Sequence, residues 1–131
     1  MTIETGIYSR MSGDGTLVGL VSTRIWPLDR QQNSALPCVT YKRRDGDAEY
    51  GLWDAPVLLR PLWEFDCYGE TYASARAVAD RVRALFDRLT GDVGGAFVAA
   101  TLLEKDEDES VEVNGSNVVR ARLWFRMIYQ E

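Results

Sequence analysis

The chain has 131 residues, of which 46% are hydrophobic and 27% charged. These values fit one globular domain with a single core and exclude a disordered chain. The formal net charge of −5 argues against a module that grips a nucleic-acid phosphate backbone. The chain contains no histidine, which removes the commonest general base and the usual zinc ligand.

Neither a membrane span nor a secretion signal is predicted from the sequence. No segment approaches the ~20 uninterrupted apolar residues that a spanning helix needs. The first residues lack the positive charge and the apolar block of a signal peptide. We therefore expect a protein that is made in the cytoplasm and has no membrane contact.

The first 24 residues predict a broken helical segment. Apolar residues recur at helical spacing until a polar, glycine-rich interruption at 12–15. Asp14 is the expected N-cap of a second, shorter helix. Residues 23–28 then predict a short extended segment, because the residue before Pro27 is disfavoured in helical geometry. The apolar residues on the face of the first helix are Ile3, Ile7, Tyr8 and Met11.

Two strands are expected in the next part of the chain, at 36–43 and 57–68. Between them, residues 43–56 predict a long polar loop or hairpin arm, with a turn signal at 43–47. Pro61 suggests that the second strand lies at a sheet edge or carries a bulge. After Pro61 the alternation places Glu64 and Asp66 on the face opposite the apolar side chains.

Residues 72–89 carry the strongest helix pattern in the sequence. Thr71 is a good N-cap, and Gly91 stands where a helix C-terminal glycine is expected. One continuous apolar stripe predicts that the helix packs on the sheet. Its members are Ala75, Val78, Ala79, Val82, Leu85, Phe86 and Leu89.

The last third of the chain predicts two strands joined by an acidic hairpin at 104–117. The first strand is expected at 96–103, followed by an acidic turn at 104–109 and a second turn signal at Asn114-Gly115. The final strand is expected at 118–129. Its alternation predicts a core face and an opposite face, and the opposite face consists of Val118, Arg120, Arg122, Trp124, Arg126 and Ile128.

Strands interrupted by a single long helix predict an α+β domain. We expect a mostly antiparallel sheet of four to five strands, with the long helix and an N-terminal helix packed on one face. Cys38 and Cys67 each lie in a strand-like apolar run and could pair only if those strands are neighbours. A buried, unreactive thiol is favoured for both, since a cytoplasmic protein normally keeps its thiols reduced.

The sequence lacks the motifs of an enzyme, a cofactor site or a metal site. It has no glycine-rich phosphate loop and no CxxC pair. Glu64 and Asp66 could form an acid/base pair, but with no nucleophile beside them a solvent-facing or interface pair is favoured. The acidic run 106–109 lacks the loop pattern of a calcium site, so a solvated hairpin tip is favoured. We expect no enzymatic activity, no cofactor and no bound metal.

The polar face of the last strand is a candidate protein interface. Three arginines flank Trp124 there, and Arg and Trp are enriched at the centres of protein contacts. The alternative is a solvated sheet face, because antiparallel sheets often have one wet side. Trp26, Trp53 and Trp63 are further candidates for partner contact, and Trp53 stands in a polar segment beside Tyr50 and Leu52.

Segments 25–28 and 36–41 resemble the opening of the tail-completion family of long-tailed phages. These segments read Ile-Trp-Pro-Leu and Leu-Pro-Cys-Val-Thr-Tyr. Residues 63–69, followed by 71–75, are similar to that family's strand and helix start. The likeness covers about residues 15 to 90. The chain departs from the family at Cys38, where an aromatic residue is more common, and in its acidic hairpin.

The resemblance implies a virion tail subunit that caps the tail tube, ends its polymerisation and joins the tail to the head. Such proteins form rings, commonly hexamers, through which DNA passes without specific binding. The implied partners are further copies of the chain, the tail-tube protein and the head-completion or connector protein. Assembly would take place in the cytoplasm of the host bacterium.

A closed ring needs two different complementary surfaces on each subunit. On this reading Arg120, Arg122, Trp124 and Arg126 form one candidate surface, and Glu64, Asp66 or the acidic hairpin form the other. A partner-contact arm is predicted at Tyr50, Leu52 and Trp53. The candidates for an acidic channel lining or rim are Asp45, Asp47, Glu104, Asp106, Glu107, Asp108 and Glu109.

Two other functions stay open at this level. One is a head-side connector or stopper subunit, which shares ring geometry and size with a tail cap. The other is a small-molecule-binding regulatory α+β domain, which predicts a defined pocket and a monomer or dimer.

Overall fold

A computed structural model describes residues 2–30, 35–49, 58–113 and 115–130, with the backbone alone described for 45–49 and 113. Within these ranges the chain folds as one sheet with helices packed against it. The helices are α1 (Ile3–Ser12), α2 (Gly15–Val21) and α3 (Tyr72–Phe86). The strands are β1 (Ile25–Pro27), β2 (Cys38–Glu49), β3 (Leu58–Gly69), β4 (Gly91–Val93), β5 (Ala96–Val113) and β6 (Ser116–Gln130).

The sheet has six strands in the order β1-β2-β3-β6-β5-β4. Every neighbouring pair is antiparallel except β1 and β2, which are parallel. The predicted α+β class with a mostly antiparallel sheet is therefore confirmed in outline. The predicted number of strands is too low, because β1 and β4 have three residues each and are too short to show an alternating pattern.

The N-terminal helices follow the prediction from the sequence. Thr2 caps α1 by accepting a hydrogen bond from the backbone N–H of Thr5. Asp14 caps α2, since its side chain accepts from the N–H of Leu17 at 2.9 Å. Asp14 also binds Arg81 of α3 through two hydrogen bonds of 2.6 and 2.7 Å, which ties the N-terminal segment to the long helix.

Helix α3 begins as predicted and ends earlier. Thr71 accepts a hydrogen bond from the N–H of Ser74 at 3.1 Å, which caps the helix. The helix ends at Phe86 rather than at residue 89, and Asp87 at its C-cap already has extended geometry. The predicted role of Gly91 is wrong: with a φ of +102° it opens β4.

One core lies between the helices and one face of the sheet. Its centre is a cluster of three aromatic rings, Phe65 of β3, Phe86 of α3 and Phe125 of β6, all fully buried. The ring centroids of Phe65 and Phe86 are 4.8 Å apart, and those of Phe65 and Phe125 are 5.8 Å apart. This cluster joins the central strands to the main helix.

Both segments predicted as charged turns are strands. Residues 43–47 belong to β2, and the register shifts between Arg43 and Asp45. Residues 104–109 belong to β5, an 18-residue strand that pairs with β6 along its length. In β6, Arg122 and Arg120 lie opposite Glu107 and Glu109, which offsets the low strand propensity of these two acids. The predicted turn at Gly115 is confirmed, with a φ of +80°.

Pro61 lies in a central strand, so the predicted edge position is wrong. β3 is flanked by β2 and β6. The ladder with β6 pairs Leu59 with Tyr129 and Leu62 with Arg126, and no pair is formed between these two. Pro61 therefore occupies an interruption of the ladder, where its missing N–H is tolerated.

The two cysteines are buried and free, as expected. Their strands are neighbours, but Cys67 pairs with Val39 while Cys38 pairs with Tyr68. The two thiols therefore point to opposite faces of the sheet. Burial raises the pKa of Cys38 to about 11 and that of Cys67 well above its usual value. Both thiols are consequently kept in the protonated, unreactive form.

None of the described helices is both long enough and apolar enough to cross a lipid bilayer.

Candidate subunit interface

The second face of the sheet carries a network of charges, which we call the charged face. It consists of alternate residues of the four long strands, whose intervening residues point to the face that carries the helices. Its members are Lys42 and Arg44 of β2, Glu64 and Asp66 of β3, Arg120, Arg122, Trp124 and Arg126 of β6, and Lys105, Glu107 and Glu109 of β5.

Glu64 lies at the centre of the charged face and is only 1% exposed. Its Oε1 accepts hydrogen bonds from Arg44 Nη1 at 2.7 Å and from Trp124 Nε1 at 3.0 Å. Lys42 Nζ lies 3.4 Å from Oε2. A buried carboxylate is costly unless it is paired and hydrogen-bonded. Here Arg44 and Trp124 hydrogen-bond Oε1, while Oε2 has the charge of Lys42 beside it but no hydrogen bond.

Asp66 lies two residues further along β3, on the same face, and is 5% exposed. Its Oδ1 accepts a hydrogen bond from Arg122 Nε at 3.2 Å. Arg122 Nε is also 3.7 Å from Glu64 Oε1, so one guanidinium serves both carboxyl groups. The two carboxyls and the arginine form a single buried unit.

The two carboxyl groups differ in pKa because they are hydrogen-bonded to each other and because more cations lie near Glu64 than near Asp66. Burial, the hydrogen bond with Glu64 and the charge of Glu64 raise the pKa of Asp66 to about 6, although Arg122 opposes this. Burial alone would raise the pKa of Glu64 too. The hydrogen bonds from Asp66 and Arg44, with the charges of Arg122 and Lys42, outweigh burial and lower it. Asp66 is therefore the group of the pair that takes up a proton first.

Trp124 is held between two cations on the charged face. The Arg44 guanidinium lies 4.6 Å from its ring centroid, and the Lys105 ammonium lies 4.0 Å from it. Both distances allow cation–π attraction. Trp124 therefore links β2 to β5 across the face, in addition to its hydrogen bond to Glu64.

The acidic stretch of β5 is divided between the two faces of the sheet. Glu107 and Glu109 lie on the charged face, where Arg122 is within 3.6 Å of each and Arg120 also contacts Glu109. At the bulge between Leu103 and Lys105, Glu104 lies 3.1 Å from Arg126.

The other acids of this stretch face the helices. Arg76 of α3 binds Asp106 at 2.7 Å and Asp108 at 3.0 Å. Arg83 is a second partner of Asp106 at 3.2 Å. Arginines from α3 and β6 therefore offset much of the negative charge of β5. The predicted place of these acids at a channel lining or rim stays a prediction.

Glu64 and Asp66 do not form a surface separate from the arginines, whereas the alternative role of the acidic hairpin as the second surface stays a prediction. Arg122 and Trp124 bind Asp66 and Glu64 of the same chain, because antiparallel register places β6 beside β3. The interface role of these residues stays a prediction. The sequence did not identify four residues of these ion-pair networks, Lys42, Arg44, Lys105 and Arg76. The alternation of β2 places Lys42 and Arg44 on one face, and the register with β3 would have shown that they lie beside Glu64.

The predicted tryptophan contacts have different outcomes. Trp63 is 2% exposed and belongs to the core, so it is not available to a partner. Trp26 is half-buried in β1. The predicted arm residues Tyr50, Leu52 and Trp53 lie outside the described residues. The side chains of Asp45 and Asp47 are also not described, so their predicted place at a channel rim stays a prediction.

A cleft of about 200 Å³ lies where β1 ends beside β2. It is smaller than the ~300–1,000 Å³ typical of small-molecule sites. It is lined by Glu4, Pro27, Leu28, Tyr41, Lys42, Arg43 and Trp63. Among the described residues, no group of three potential metal ligands occurs.

Comparisons with known proteins found likeness in structure but not in sequence. No family model and no curated protein matches the chain. A protein from the virion of a native gene transfer agent particle has a TM-score of 0.77 at 15% identity, over 98% of this chain and 94% of that one. A second solved structure has a TM-score of 0.58 at 15% identity, over 95% and 92%. The chain thus shares its fold with a protein found in a phage-like virion.

Proposed function

We propose that this chain is a structural subunit of a phage-like virion, without enzymatic activity. The observation that carries the proposal is the correspondence of the fold, over nearly the full length of both chains, with a protein from a gene transfer agent virion. The chain also lacks histidine, and its charged side chains form ion-pair networks rather than an open catalytic cleft.

Within the virion, we propose that the subunit caps the tail tube, ends its polymerisation and forms the ring that joins tail to head. The resemblance of residues 15 to 90 to the tail-completion family supports this finer role. Its partners are then further copies of the chain, the tail-tube protein and the head-side connector. DNA passes through the ring without specific binding, in keeping with the net charge of −5.

The tail-capping role is tested by its effect on tube length. Tail-tube protein from the same phage or gene transfer agent is polymerised with increasing amounts of this chain. We expect shorter tubes, each carrying the added protein at one end in electron micrographs. Tubes of unchanged length with bare ends would contradict the proposal.

A second binding test distinguishes the role of a head-side stopper from that of a tail cap. Tagged protein is mixed in parallel with purified tail tubes and with DNA-filled, tail-less heads. We expect recovery with the tubes in the absence of heads. Recovery with heads alone would move the assignment to the connector.

A further inference from the structure

In the described part of the chain both edges of the sheet are open over part of their length, and each open part contains a cluster of charge. On one side, β1 covers only Val39–Tyr41 of β2, and Leu28 adds one hydrogen bond to the carbonyl of Tyr41. Within the described part of the chain, no strand pairs with the outer edge of β2 from Lys42 to Glu49.

The opposite edge is open over a longer segment. β4 covers only Ala96–Val98 of β5, and the N–H of Arg88 binds the carbonyl of Thr101. Among the residues that the structure describes, nothing pairs with the outer edge of β5 from Leu102 to Val113. Open edges offer rows of unpaired backbone N–H and C=O groups to another strand.

A basic segment on the open β2 edge and an acidic segment on the open β5 edge have opposite signs, although the β2 edge continues with Asp45, Asp47 and Glu49. The open edge of β2 begins with Lys42, Arg43 and Arg44, whose side chains are 37%, 50% and 40% exposed. The open edge of β5 carries five carboxylates and one lysine between residues 104 and 109. Those of Glu104, Glu107 and Glu109 are 40%, 41% and 40% exposed. A carboxylate has about four acceptor sites, so these groups can take a second cation beside their own arginine.

Charged edges usually protect a sheet against aggregation, and here the signs decide which contacts are blocked. Two β5 edges repel each other over residues 104–109. The contact between this segment of one copy and the Lys42–Arg44 segment of β2 in another copy joins opposite charges. Strand direction permits it as well: along the order β2-β3-β6-β5 each step is antiparallel, so β5 runs opposite to β2.

We propose that the open acidic segment 104–109 of β5 in one copy pairs antiparallel with the basic Lys42–Arg44 segment of the open β2 edge in a second copy, continuing the sheet between subunits. This contact uses two different surfaces of one chain, so it propagates and can close into a ring. The proposal rests on the ring assembly proposed above and names the contact that builds it. It assigns residues 104–109 to a subunit contact rather than to a channel lining.

The charge-swap test uses Arg43 and Asp108, which both lie on the helix-bearing face of their strands. The ion pair of Arg43 with Glu4 at 3.7 Å is exposed on both sides, so Arg43→Glu costs little stability. Asp108→Lys leaves Arg76 its bonds to Asp106 and Asp80. Glu70→Lys, an exposed reversal, is the matched control for the net charge of Asp108→Lys.

Light scattering then measures the mass of each protein relative to the 14.8 kDa chain. We expect oligomers for the native chain and for Glu70→Lys, and monomers for each single edge variant. An equimolar mixture of Arg43→Glu and Asp108→Lys assembles again, because the two native edges pair with each other and so do the two reversed edges. The doubly reversed chain, which keeps the native net charge, assembles again. Raised salt dissociates the native oligomer.

Three outcomes would overturn the edge contact: a native chain that is monomeric at every concentration, edge variants that assemble like the native chain, or a mixture that stays monomeric while thermal melts show both variants folded. The tube-length experiment separates this contact from the tail-capping role. If the edge variants were monomeric but still shortened the tubes, capping would not depend on a ring, and the ring-dependent cap would be refuted. If the edge variants shortened the tubes and formed oligomers like the native chain, only the edge contact would be refuted.

Discussion

The two faces of the central strand β3 are stabilised by different forces. On the helix-bearing face, Phe65 and Cys67 are fully buried among apolar side chains. On the charged face, Glu64 and Asp66 are almost as buried, but by arginine, lysine and tryptophan side chains. Burial alone therefore does not identify a hydrophobic core. Successive residues of β3 are therefore buried to nearly the same extent, one among apolar side chains and the next among charged ones.

The largest effect is expected on the helix-bearing face. Phe65→Ala removes the ring that contacts both Phe86 and Phe125, and it leaves a cavity where strand, helix and strand meet. Large-to-small changes of this kind cost about 3–5 kcal/mol. Urea unfolding of the variant should show that loss in the free energy of unfolding. Phe97→Ala is the matched control, because Phe97 is 62% exposed, and we expect less than about 0.5 kcal/mol there.

If Phe65→Ala and Phe97→Ala were equally destabilised, the aromatic cluster would not be the centre of the core.

A smaller loss is expected when the charge at the centre of the charged face is removed. Glu64→Gln keeps the shape and can still accept from Trp124, but it leaves Arg44 and Lys42 without their carboxylate. Breaking a fully buried ion pair costs about 3–5 kcal/mol. Arg44 and Lys42 are 40% and 37% exposed, so water compensates them in part, and we expect about 2 kcal/mol.

The pH dependence of the Glu64→Gln loss checks its cause. The lowered pKa of Glu64 means that its contribution is present above the ordinary glutamate pKa and is lost as the pH falls through the folded-state pKa. Unfolding of the variant and the native chain should therefore converge in acid. A loss that stayed constant down to low pH would indicate a packing defect rather than a lost ion pair.

The helix-bearing face was predictable from the sequence, and the charged face was predictable only in part. Periodicity alone placed α3 and the alternation of β3 and β6, since each buries an apolar stripe. Residues 43–47 and 104–109 were misread as turns, because the oppositely charged partners that stabilise them as strands are distant in sequence. Arg122 and Glu64 were both singled out, but their contact depends on the register between β3 and β6, which a single strand pattern does not contain.

The smallest effect we predict has the opposite sign and comes from the neighbour of Glu64. The pKa of Asp66 is raised, so its stabilising contribution is complete below the ordinary aspartate pKa near ~4 and is lost as the pH rises through about 6. Near neutral pH the folded protein therefore holds Asp66 in its less favoured, ionised form. Asp66→Asn resembles the protonated side chain at every pH and can still donate to Glu64.

We expect Asp66→Asn to raise the free energy of unfolding by about 1 kcal/mol near neutral pH. The gain is smaller than the pKa shift alone would give, because an amide N–H is a weaker hydrogen-bond donor to the Glu64 carboxylate than a protonated carboxyl. Below the ordinary aspartate pKa the variant should therefore be slightly less stable than the native chain. Thermal melts across that pH range measure the difference directly. A variant less stable than the native chain at neutral pH would mean that Arg122 outweighs burial at Asp66, and that both carboxyls of the pair are ionised at little cost.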